Sequence, residues 1–105
     1  MSRRYSKALP ARWRGLAKVF TALGDEHRQR ILLMLEHGDE LTIKDIVDRV
    51  PLSRTAFSHH VRVLRESGVL RAEKRGREVY LIPNPKLVLD AVEGLRTYIR
   101  EEFRS

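Results

Sequence analysis

Apolar side chains recur at helical spacing along most of the chain, and the period changes once, between residues 69 and 82. In residues 10–23, Trp13, Leu16, Ala17, Phe20 and Leu23 share one face, which predicts a first helix ending at Gly24. Asp25 is placed to cap a second helix with Glu26 in its first turn. Ile31, Leu32, Met34 and Leu35 give that helix a broad apolar face, closed by Gly38. A short third helix starts at Thr42. Its hydroxyl and the Asp45 carboxylate occupy the two positions of a capping box, and Leu41 can staple onto Ile46. Ile46, Val47 and Val50 face inward, and Pro51 forbids continuation. Ser53 then caps a fourth helix. Phe57, Val61 and Leu64 form its buried stripe, Leu52 staples onto Phe57, and Gly68 supplies a left-handed stop.

After Gly68 the pattern turns to strand. Residues 69–74 and 77–82 are rich in β-favouring types and are joined around Gly76, which predicts a hairpin. Asn84 followed by Pro85 starts a last helix that runs to about Phe103. The predicted order is ααααββα, a mainly α chain with a small β-hairpin. Residues 1–9 are expected to form a flexible basic arm and residues 10–105 a single domain.

Length and composition narrow the class. With 105 residues, 42% of them apolar, the chain suffices for one domain with a modest core. There is no cysteine, which removes disulfides, thiolate metal ligands and thiol redox sensing. The apolar run Ile31–Leu35 is far too short to span a bilayer, and the N-terminus lacks the apolar centre of a secretory signal, so a soluble intracellular protein is expected. The net charge is +7. Its distribution says more than its size: residues 1–18 hold six basic residues and no acid, and residues 51–82 hold seven Lys and Arg against three acids.

The central basic block coincides with two capped helices separated only by Val50-Pro51-Leu52, a helix-turn-helix arrangement. With Phe57, Val61 and Leu64 turned inward, Arg54, Thr55, Ser58, His59 and Arg62 fall on the opposite face. Guanidinium, hydroxyl and imidazole groups are the side chains that meet phosphates and base edges, and no acid interrupts them before Glu66. Lys74, Arg75 and Arg77 surround the hairpin tip, where a wing touches a flanking backbone or minor groove. Ser58, His59 and His60 do not make a nucleophile–base pair, because neighbouring helix positions point about 100° apart. No glycine-rich phosphate loop or carboxylate pair is present, so no enzyme is expected. Two alternatives remain: a winged-helix module acting through protein contacts, and a non-specific architectural DNA-binding protein. The basic, hydroxyl-rich face favours duplex DNA over a protein surface.

Residues 20–83 resemble the ArsR/SmtB family of winged helix-turn-helix repressors. The matching stretches are FTALGDEHRQRILLML (20–35), ELTIKDIVDRVPLSRTAFSHHVRVLRESGVL (40–70) and RGREVYLI (75–82). The resemblance implies a dimeric fold and repression of operons whose inducers release the protein from operator DNA in the bacterial cytoplasm, at the nucleoid. It implies base reading by Thr55, Ser58 and His59, phosphate contacts by Arg54 and Arg62, and a structural role for His60. The family's metal positions are filled differently here. Thr42 and Lys44 replace a Cys-x-Cys pair, and Asp90 is followed by Val92 and Phe103 where histidines belong. No metal and no cofactor is expected, and a small organic molecule, a protein partner or no inducer at all remain open.

The last helix carries Val88, Val92, Leu95, Ile99 and Phe103 on one stripe, wider than one face of a small monomer requires. Together with Trp13, Leu16 and Phe20 of the first helix it is expected to form a homodimer interface. A dimer implies a near-palindromic operator with half-sites spaced by ~10 bp or a multiple.

Overall fold

The computed structural model describes residues 5–38 and 40–103. Of the expected basic arm, Arg3 and Arg4 lie outside the described residues, while Tyr5–Leu9 are exposed and in neither helix nor strand. Five helices and three strands follow: α1 (Ala11–Leu23), α2 (Glu26–Leu33), β1 (Leu41–Thr42), α3 (Ile43–Val47), α4 (Arg54–Glu66), β2 (Leu70–Arg75), β3 (Glu78–Pro83) and α5 (Pro85–Glu102).

The capping residues define the helix starts. The Asp25 carboxylate accepts from the backbone N–H groups of His27 (2.8 Å) and Arg28 (3.2 Å). Thr42 and Asp45 complete a reciprocal capping box, each bond 3.0 Å long. Ser53 Oγ accepts from Ala56 N–H, and Asn84 Oδ1 accepts from Leu87 N–H. Each cap satisfies donors that the first helical turn leaves free.

Two boundaries differ from the sequence reading. The helix of α2 stops at Leu33, and residues 34–37 continue as turns that still bury Leu35 against the core before Gly38, at φ +75°, ends the segment. Leu41 and Thr42, expected only to lead into the third helix, also form a strand. Leu41 pairs with Leu81 and Thr42 with Tyr80, so the order is ααβααββα and the sheet has three antiparallel strands ordered β1-β3-β2. Two residues are too few to show a period, and their partner strand is remote in sequence. The hairpin itself is tight, with Arg75 opposite Glu78 and Gly76 at φ +64° in the two-residue loop.

One core joins the elements. It holds Leu16, Val19 and Ala22 of α1, Ile31 of α2, Ile46 of α3, Phe57, Val61 and Leu64 of α4, Leu70 and Leu81 of the sheet, and Ala91 of α5. Among these apolar groups sits one charge, the Arg28 guanidinium, in a side chain only 9% exposed. It donates to the Ala22 and Thr21 carbonyls at the end of α1 (2.8 Å each) and lies 3.1 Å from His60 Nδ1 on α4. A buried cation without such acceptors would be strongly destabilising; here each acceptor lies on a neighbouring helix.

Gly68 closes α4 at φ +85°, and a Cβ there would stand 2.7 Å from Leu87 Cδ1. Gly15, inside α1, has nothing within 4 Å of its Cβ position. Gly68→Ala is expected to lower unfolding stability by about 1–3 kcal/mol. Gly15→Ala should raise it by roughly 0.5–1 kcal/mol. Urea unfolding measures both.

Candidate nucleic-acid interface

Helix α4 is placed by its two ends and its inner stripe. Ser53 fixes where it starts, Gly68 where it stops, and Phe57, Val61 and Leu64 are at most 6% exposed. Arg54, Thr55, Ser58, His59 and Arg62 are all exposed on the outward side, so the structure brings together the five expected residues of this helix. Arg65 joins them. At 3.6 residues per turn, positions 54, 58, 62 and 65 fall in one stripe along one side of the exposed arc, with Thr55 and His59 on its other side. That alignment was visible in the periodicity. Arg62 and Arg65 also line, with Arg71 of β2, a cleft of about 540 Å³ between α4 and the sheet edge. Among the described residues, none of Arg54, Arg62, Arg65, Lys74 and Arg77 is in an ion pair.

His59 lies at the flank of this face, its ring 5.6 Å from that of His60. His60 itself turns inward between α4 and α2. Burial pushes its pKa below the ordinary histidine value; Asp25, 3.9 Å away, opposes the shift, while Arg28, His27 and His59 reinforce it. At Asp25 the accepted backbone N–H of Arg28 dominates and holds the carboxyl below the usual carboxylate range.

The wing divides. Lys74 and Arg77 are exposed near the tip, and Arg77 faces Arg54 across a groove of about 650 Å³ also lined by Lys44, Asp45, Asp48 and Glu78. Arg75, also expected on DNA, is held at the surface by carboxylates of its own chain. Its guanidinium forks onto Glu40 (2.8 and 3.2 Å), touches Glu73 (3.1 Å) and lies 4.6 Å from the centre of the Tyr80 ring.

The expected interface residues of the first and last helices also separate. Val92, Ile99 and Phe103 are 44%, 47% and 69% exposed, and Leu89 at 64% extends the same surface. Trp13, Phe20, Val88 and Leu95 are half-buried at its margin. Leu16 is 7% exposed and belongs to the protomer's own core, where it packs against α5 beside Gly94.

A capped helix-turn-helix followed by a two-stranded wing, with the second helix presenting unpaired cations, defines a winged helix-turn-helix DNA-binding protein. The comparisons agree. A family model described as a helix-turn-helix domain matches residues 23–73. The transcriptional repressor SdpR of Bacillus subtilis (strain 168) is 29% identical over 83 residues, covering 79% of this chain and 91% of SdpR. A cadmium resistance transcriptional regulatory protein CadC homolog of Staphylococcus aureus is 34% identical over 86 residues, 82% of this chain and 71% of that protein. Among solved structures, an ArsR-like transcriptional regulator from Rhodococcus sp. RHA1 superposes with a TM-score of 0.76 at 29% identity, covering 85% of this chain and 83% of that one. This chain belongs to the ArsR family of winged helix-turn-helix transcriptional repressors.

The metal chemistry named for some relatives does not fit the residues present. The sequence has no cysteine. The Thr42 hydroxyl is committed to the α3 cap, Lys44 places an ammonium beside it, and Asp90 is bound to Lys86 at 2.9 Å. Val92 and Phe103 offer no donor atom, and a single carboxylate is not a transition-metal site.

Because the fold favours neutral His60, its stabilising effect is complete above the unfolded pKa near 6.5 and is lost as pH falls through the lower folded value. The thermal midpoint should therefore fall between pH 7.5 and 5.5, and fall less in His60→Gln; equal pH slopes would exclude His60 as the source.

Proposed function

We propose that this repressor binds a near-palindromic operator sequence-specifically as a homodimer, with α4 in the major groove and the wing on the flanking backbone. The observation that carries the reading is the α4 face, where hydroxyls and imidazole are interleaved with arginines that form no ion pair among the described residues. Thr55, Ser58 and His59 stand near the N-terminal half, suited to base edges. Arg54, Arg62 and Arg65 suit phosphates on either side, and Lys74 and Arg77 suit a neighbouring backbone segment. The protein acts at the bacterial nucleoid, in the cytoplasm.

Dimerisation is supported by the apolar surface of α5. Val92, Ile99, Phe103 and Leu89 are large apolar groups left in water by the protomer. They continue from half-buried Trp13, Phe20, Val88 and Leu95, whose remaining exposed area a second copy would cover. A two-fold axis through α1 and α5 would present two α4 helices on one side of the pair.

Base reading and backbone contact are separable by substitution. His59→Ala should cost roughly 1–3 kcal/mol on the best site and little on random duplex. Arg65→Ala should weaken binding to both and reduce the salt-dependence slope by about one unit. Fluorescence anisotropy at several salt concentrations resolves the two. Equal affinity of the unaltered protein for genome-selected and random duplexes would favour an architectural role instead.

Ile99→Asp should convert the protein to a monomer in sedimentation equilibrium and weaken operator binding by removing the second half-site. An unchanged mass would place the interface elsewhere.

A further inference from the structure

Successive residues of a strand point to opposite faces of its sheet. In β2, Leu70 is buried in the core, so Ala72 and Lys74 share the core-side face with α4, while Arg71, Glu73 and Arg75 lie on the other. The register places Glu73 opposite Tyr80 and Arg75 opposite Glu78. In the strand order β1-β3-β2, a side chain from β2 must cross β3 to reach anything beside β1. Arg75 does so. Its guanidinium passes over the Tyr80 ring of β3 and forks onto both oxygens of Glu40, the residue immediately before β1. Glu73 accepts a further bond from Nε at 3.1 Å, and the Tyr80 hydroxyl donates to Glu78 at 2.9 Å. The contacts span all three strands one residue before the hairpin loop.

We propose that Arg75 is a positioning residue that straps the wing to Glu40 and thereby holds Arg77 and Lys74 against the DNA backbone. The strap rests on the proposed wing contact but makes a separate claim: an acid and an arginine that do not touch DNA set its affinity. The groups facing the Arg75 guanidinium are Glu40 from the segment before β1, Glu73 from its own strand and Tyr80 from β3. A fork onto a carboxylate has a defined geometry that an ammonium does not reproduce.

This reading opposes simple electrostatics, which makes it testable. Glu40→Gln removes a negative charge from a +7 protein, and on charge alone it should tighten binding to any duplex. Through loss of the strap, it should instead weaken binding to a mixed-sequence duplex by about two- to fivefold. Arg75→Lys, which keeps the charge and loses the fork, should weaken it similarly. The loss must act through the wing tip, so Glu40→Gln should have no further effect in a Lys74→Ala/Arg77→Ala background. Affinities are measured by anisotropy on variants whose thermal midpoints match the unaltered protein. Unchanged or tighter binding by Glu40→Gln, or an equal loss with Lys74 and Arg77 both absent, overturns the strap alone. If Lys74→Ala/Arg77→Ala itself changes neither affinity nor salt slope, the wing contact fails and the strap's role in binding fails with it.

Discussion

The arrangement depends on a buried guanidinium. Arg28 enters the core from α2, closes the C-terminal carbonyls of α1 and meets His60 on α4, so one planar group with fixed donor directions links three helices. Apolar packing alone tolerates sliding and repacking. Directional bonds from a cation that has nowhere else to go do not. The helix that carries the cationic face is thus referenced to the α1–α2 corner by polar geometry as well as by Phe57, Val61 and Leu64.

Function follows from what this anchoring leaves outside. The apolar positions Phe57, Val61 and Leu64 of α4 turn inward, and the opposite arc is left with hydroxyls, a histidine and arginines that form no ion pair among the described residues. The wing tip is treated differently, since of its three basic residues Arg75 is paired with Glu40 and Glu73, while Lys74 and Arg77 form no ion pair among the described residues. A wing of two short strands is a weak structure by itself. In the proposed strap, cross-sheet contacts near the wing tip would orient Lys74 and Arg77, and oriented charge costs less ordering entropy on binding.

Much of this was legible in the sequence because the signals are local. Asp25, Ser53 and Asn84 each precede their helices by one residue, and the Thr42–Asp45 box spans three, so chemistry within one turn sufficed to place four helix starts. The α4 face was legible for the same reason, although Arg65 was passed over despite its alignment with Arg54, Ser58 and Arg62. What escaped was set by distant partners. The strand character of Leu41 and Thr42 exists only because β3 lies beside them. Arg28 carries nothing in its neighbourhood that marks it as buried. Leu16 was read as an interface residue because α5, which packs against it within the protomer, is remote in sequence. Arg75 sits among basic residues at a hairpin tip, and only strand alternation with the position of Glu40 shows that it points away from Lys74.

The central claim is that the outward face of α4, held from within by Arg28 and His60, is the surface that meets duplex DNA. Amide chemical-shift mapping during titration with a genome-selected duplex tests this most directly. The account places the largest changes in residues 54–65 and 74–77, with the outer surface of α5 unaffected. Changes centred on α5 or on the exposed side of α2, with α4 silent, would contradict it.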